Sequence, residues 1–197
     1  MNIPDRYLDF IPWAIATLII AAIVHIVSVL LMPAVAPRDA YARLAAITKA
    51  SQAKEGVVLL PAAAPGAAAL PFEDPALAEG VCLYDLSKGL LHIAGPADGE
   101  DYLAVSFHAV GGRLYHAIND RSAIKGKIDI VVGDAAQIEA LESTDDEDST
   151  PQEVRITAPT RRGFVLIRAL AKRESDAERA RARVTSVKCE RFAPPAE

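Results

Sequence analysis

Between Phe10 and Pro37 the chain has no Asp, Glu, Lys or Arg, and Ile11 to Met32 is built mostly of Ile, Leu, Val and Ala. An apolar run of that length admits few folds. As an α-helix rising about 1.5 Å per residue it reaches roughly 33 Å, enough to cross the hydrocarbon core of a bilayer. Trp13 falls near one end, at the depth where an indole prefers the headgroups. A buried core helix would need a second apolar layer that the remaining chain can hardly supply. A cleavable signal peptide is the closer rival, because Ala34-Val35-Ala36 has the form of a cleavage site. Against it stand a segment longer than the usual signal core, a start that is not basic (Asp5, Arg6, Asp9), and Pro37 directly after the cut. The expectation is an uncleaved transmembrane helix over 11–32, after a short tail at 1–10. His25 and Ser28 share one face of it, where they suit association with a neighbouring helix.

Beyond this segment and its flank the chain has about 140 residues, the usual size of one domain. From Ala50 onward 17 Lys and Arg face 23 Asp and Glu, a net charge of −6. That is the wrong sign for neutralising phosphates, so nucleic acid is excluded as a partner class. Two signals disagree about the side of the membrane. Arg38, Arg43 and Lys49 after the helix outnumber Arg6 before it, which favours a cytoplasmic domain. Cys82 and Cys189, near the start and the end of the soluble part, could instead form a disulfide, which points outward. Two buried thiols fit the spacing almost equally well.

Residues 33–73 read as a juxtamembrane helix, Asp39 to Ala53, followed by a Pro- and Ala-rich linker, Pro61 to Pro71. From Gly80 the pattern becomes short β-like runs bounded by turn residues: 81–86, 90–94, 102–110, 113–118, 128–132, 153–158 and 164–170. With no long helix among them, they predict a mainly β domain over 74–192, an antiparallel β-sandwich of jelly-roll type, before a tail at 193–197. Ser175-Asp176-Ala177-Glu178 has the capping-box pattern and predicts a C-terminal helix to about Val187. The acidic stretch Glu142 to Gln152 lacks the ligand alternation of a calcium loop and reads as solvated loop.

Val110-Gly111-Gly112-Arg113 suits a two-residue hairpin turn, because Gly tolerates positive φ. That register pairs Phe107 with His116 and His108 with Tyr115. Leu103, Val105, Phe107, Leu114, His116 and Ile118 then form the core face, with His116 a core histidine. Ser106, His108, Tyr115, Asn119, Asp120 and Arg121 form the densest polar group and are the candidate ligand-binding residues. They offer a hydroxyl, a base and an anion clamp. Ser106 and His108 lie two apart on one strand, with Cβ atoms roughly 7 Å apart, so a direct Oγ–imidazole bond is not expected and no residue is assigned as catalytic. Asn119-Asp120-Arg121 suits a turn with a local ion pair. No phosphate-binding loop, nucleophile elbow, zinc cluster or metalloprotease helix is present, and no metal or cofactor is expected.

Three segments together resemble a bacterial family catalogued as domain of unknown function 1254. They are Asp85-Leu86-Ser87-Lys88-Gly89, the Tyr102–Phe107 strand leading to Tyr115-His116-Ala117-Ile118-Asn119-Asp120-Arg121, and Gly163-Phe164-Val165-Leu166-Ile167-Arg168 before a terminal helix. The resemblance spans roughly Asp74 to Val187. It implies a β-sandwich exported across the inner membrane, which favours a Cys82–Cys189 disulfide and a periplasmic domain. Family members usually carry a second domain, domain of unknown function 1214, and this chain resembles a split form lacking it. The expected function is therefore a single-pass, inner-membrane interaction module that meets membrane lipid and a partner membrane protein bearing the companion domain. The alternative is a small-molecule-binding or hydrolytic domain using the polar hairpin face.

Overall fold

The computed structural model describes residues 10–35, 39–51, 56–62, 73–97, 101–144 and 153–192. Two compact units divide at Pro37. The first holds helix α1, Ile11–Val35, whose segment Ile11–Met32 is long and apolar enough to cross a membrane. Its side chains, Trp13, Leu18 and Leu30 among them, are exposed, so no protein core accounts for their apolarity.

The second unit is mainly β. One sheet runs in the order β1 (Val58–Leu59), β2 (Leu77–Asp85), β8 (Arg162–Leu170), β4 (Leu103–Ala109), β5 (Leu114–Asn119). The other runs β7 (Val154–Thr157), β6 (Lys127–Gly133), β3 (Leu90–Pro96), β9 (Lys188–Phe192). Alternation decides which side chains go inward. Leu103, Val105 and Phe107 of β4 are fully buried, as are Val165 and Ile167 of β8. They share one apolar cluster with Ile93, Ile130 and Val132 of the second sheet. Each such side chain contributes about 1.5–3 kcal/mol on leaving water. The five expected core positions of β4 and its partner that lie at 103, 105, 107, 116 and 118 do face this side.

Not every pairing is antiparallel. β6 and β7 run parallel, Ile130 opposite Val154, which a direct hairpin cannot achieve. The crossover contains α3, Ala135–Ser143, a helix that the run of strand-like segments does not predict. Its start is marked by a capping box: Asp134 accepts from the Gln137 N–H while the Gln137 side chain accepts from the Asp134 N–H. Residues 145–152, with most of the acidic stretch, lie outside the described residues.

The capping box expected at Ser175 is absent. Residues Glu174–Asp176 already form a 3₁₀ turn, so Ser175 lacks the extended backbone that an N-cap needs, and α4 (Ala177–Ser186) starts at Asp176 without a side-chain cap. Val184 and Ala180 seat α4 in the core. Two of its arginines are tied down: Arg183 donates to the Asp101 carbonyl at 2.8 Å, and Arg179 pairs with Asp176 at 3.1 Å.

The juxtamembrane helix is α2, Ala40–Ala50, and it belongs to the β unit. Leu44, fully buried, packs with Val58, Leu60, Val81, Phe164 and Leu166 on the outer face of the five-stranded sheet. α2 and β1 thus cover the second apolar face of this sheet. Residues 63–72, most of the expected linker, lie outside the described residues.

Candidate functional site

The site is built by an irregular hairpin. Gly112 N–H donates to the Ala109 carbonyl at 3.0 Å and Ala109 N–H to the Arg113 carbonyl at 2.9 Å. The loop thus has three residues, Val110 to Gly112, with φ of +91° at Gly111 and +82° at Gly112. His108 then faces Leu114, and Tyr115 is the extra residue of a bulge before the expected Phe107–His116 pair resumes. This corrects two expected positions. Leu114 moves to the outer face and is 54% exposed. Tyr115 turns inward, where its hydroxyl meets that of Tyr84 at 3.0 Å. Burial pushes both phenols up from their ordinary pKa. Tyr115 is therefore a core-side residue. His116 rests at the sheet edge, its ring 6.2 Å from that of Phe107.

Ser106 and His108 are brought together, although their spacing along the strand predicts that they are out of reach. His108 Nε2 lies 3.0 Å from Ser106 Oγ. The imidazole lies along the strand, stacked on Phe164 with centroids 4.7 Å apart and planes within 2°. Cβ spacing understates reach when a ring is held flat in this way. Nδ1 is 3.1 Å from the Gly112 carbonyl oxygen, which can only accept, so Nδ1 carries the proton and a neutral ring turns a lone pair toward Ser106. Burial, and then the positive charge of Arg168, hold His108 below its usual pKa; the Gly112 bond partly opposes them. The Ser106 hydroxyl has a second acceptor in the Leu166 carbonyl at 3.2 Å.

Asn119, Asp120 and Arg121 serve a turn instead. Asn119 Oδ1 accepts from the Arg121 N–H at 3.1 Å, capping the 3₁₀ turn Asp120–Ser122. Asp120 Oδ1 accepts from the Leu103 N–H at 3.5 Å. Arg121 is exposed, and the expected local ion pair is not formed among the described residues.

Two residues of this face were not among the candidates. Arg168 is the register neighbour of Ala104, next along the sheet from Ser106. Its Nε donates to Glu79 Oε1 at 2.7 Å. Glu79 is 8% exposed, and its Oε2 has no hydrogen-bond partner among the described residues. The alternation of β2 and β8 places both on the outer face, but a strand otherwise so apolar conceals a charge pair. Tyr102, Ala104, Ala117, Ile118, Asn119 and Ser122 line a shallow cavity of about 200 Å³ over the β4–β5 edge, one residue pair along from Ser106.

Cys82 of β2 and Cys189 of β9 are joined by a disulfide that crosses from one sheet to the other, with Cα atoms 6.5 Å apart. A larger cavity of about 370 Å³ opens beside it, lined by Asp85, Lys88, Arg162 and Glu190 among others. Its charges oppose one another, and the Asp85 carboxyl, held below its usual pKa by the Ser87 hydroxyl and N–H, is committed to its own turn. Among the described residues no cluster of three or more His, Cys, Asp or Glu could hold a metal ion.

No curated protein matches the chain. A crystal structure of a protein from Vibrio parahaemolyticus is similar at 13% identity and a TM-score of 0.48, over 62% of this chain and 29% of that one. An uncharacterized protein from Burkholderia cenocepacia is similar at 13% identity and a TM-score of 0.42, over 82% of this chain and 46% of that one. This chain therefore spans less than half the length of either. The family described as "Protein of unknown function (DUF1254)" matches residues 75–191, well over half of the chain, and the chain belongs to that family.

Proposed function

We propose that this protein is a single-pass protein of the bacterial inner membrane whose β domain faces the periplasm as an interaction module. Its partner is a membrane protein bearing the companion domain 1214, so that the two chains together make what other family members carry in one. The observation that carries this reading is the Cys82–Cys189 bond, because stable disulfides belong to oxidising compartments. In this reading Ile11–Met32 is the anchor, and the two sheets pack as a sandwich of jelly-roll type. Among the described residues strand β5 ends its sheet with no strand beyond it, and Leu114 on it is exposed. An open edge of this kind is a natural site for strand addition by a partner.

Copurification from mild detergent tests the partner, with a membrane protein of the companion type expected at near-equal amount. A protein that runs alone and monodisperse overturns it. Sidedness is read by thiol labelling of denatured protein with and without reductant: two thiols reactive only after reduction are expected, and free thiols count against the periplasm. The Ser106–His108 bond favours a second reading, small-molecule binding or hydrolysis on the hairpin face.

A further inference from the structure

Three register rows meet on the outer face of β8, β4 and β5. Phe164 lies beside His108, Leu166 beside Ser106 and Ala117, and Arg168 beside Ala104 and Asn119. Ala104 and Ala117 stand where larger side chains would fill the face; they line the shallow cavity, and each is the register partner of a residue that does not line it, Arg168 and Ser106 respectively. We propose that Ser106 is a nucleophile toward small carboxylic esters, with His108 as its general base and Arg168 meeting a negative charge on the bound ester. This deepens the second reading and is independent of the interaction module.

The hydrogen bonds set the direction of proton flow. Gly112 holds the Nδ1 proton and Phe164 holds the ring plane, so Nε2 is left to accept from Ser106 Oγ, whose one proton it shares with the Leu166 carbonyl. A carbonyl here fills the orienting role that a carboxylate has in a serine triad, without the negative charge that stabilises imidazolium. Arg168 is anchored through Nε by a buried carboxylate, and its terminal nitrogens make no hydrogen bond among the described residues. Ser106 and Arg168 are diagonal neighbours on β4 and β8, about 7 Å apart at the backbone, while the Arg168 Nε leans to Glu79 on the β2 side, so a charged end of the ester must reach across β8 to meet it.

In the reaction Oγ bonds to the acyl carbon as the ester C–O bond breaks. The hydroxyl proton passes to Nε2 and from there to the departing alkoxide. Water then attacks the acyl-serine, gives one proton through Nε2 back to Oγ, and releases the carboxylic acid. No cofactor or redox partner enters.

The test uses the full-length protein in detergent and a fluorophosphonate probe, which leaves its phosphorus on Oγ as fluoride departs. One adduct per chain is expected by intact mass, located at Ser106 and absent from Ser106→Ala. His108→Gln should slow labelling at least about tenfold. Hydrolysis of para-nitrophenyl acetate and of the hemisuccinate reads the third residue: Arg168→Gln should raise KM for the hemisuccinate about tenfold more than for the acetate. Should His108→Gln fail to fold, the unsubstituted protein decides, because its labelling rate must rise with pH in one step centred below 6.5. The charged groups on the elements around that ring are Arg162 and Arg168 of β8, Arg113 of the hairpin, and Asp39, Arg43 and Lys49 of α2 and its cap; of these Arg168 acts on the ring. No adduct, an adduct that survives in Ser106→Ala, or a rate flat with pH overturns the proposal. Equal KM changes for the two esters overturn the role of Arg168. Partner copurification is untouched by any of these results, so the two readings fail separately.

Discussion

At the residue scale, the hairpin face depends on side chains doing what spacing alone did not suggest. Ser106 and His108 are legible as an i, i+2 pair on one face, but their contact depends on Phe164, which arrives from β8 and holds the imidazole flat. His108 also ties stability to pH. Its pKa is lowered in the folded state, so the unfolded chain binds the proton more readily. The contribution is complete above the ordinary value of 6.5 and is lost as pH falls through the lower folded value. Thermal unfolding from pH 8 to pH 4.5 should show a falling Tm, with the slope reduced in His108→Gln. Gly163 is a second such position. A Cβ there would collide with the His108 carbonyl and the Tyr84 hydroxyl from the neighbouring strands. Gly163→Ala should cost about 1–3 kcal/mol, read by urea unfolding. Nothing local marks this glycine, since its need is created by the two strands beside it.

At the element scale, α2 shows how one side chain joins two elements. Asp39 Oδ1 accepts from the Ala42 N–H at 2.8 Å and caps the helix, while Oδ2 accepts from the Gly111 N–H at 3.0 Å at the hairpin tip. Asp39→Ala should cost about 1–2 kcal/mol, the upper range of a lost cap. Leu44→Ala should cost about 2–5 kcal/mol, as expected of a fully buried leucine. Both are read as shifts in the urea midpoint. The helical spacing of Asp39–Ala53 revealed α2 but not its seat. The capping pair Asp134 and Gln137 was a readable signal for α3. The Ser175 pattern was an equally good signal that failed, because a 3₁₀ turn occupied the same residues. β9 has no clear sequence signal, because an edge strand with Lys188, Glu190 and Arg191 has a weak apolar alternation.

At the scale of the whole molecule, the disulfide closes a loop across a separation of 107 residues and links the two sheets. Chain entropy sets its contribution at up to about 4.7 kcal/mol for a loop near that length. Reductant, or Cys82→Ser with Cys189→Ser, should therefore lower Tm by several degrees in a calorimetric scan. A chain beginning at Arg38 should keep its β-rich circular dichroism and stay soluble without detergent, because α1 and the remaining chain form separate compact units. Periodicity and composition were enough to determine the apolar helix, the mainly β class, the inward residues of β4 and the hairpin's location, because each depends on contacts along one short segment. The tertiary structure alone decided the bulge that turns Tyr115 inward, the parallel β6–β7 pair, the burial of Glu79 against Arg168 and the Ser106–His108 contact. In each of these the deciding partner lies on another strand or beyond a turn, and its position is set by packing that no local pattern encodes.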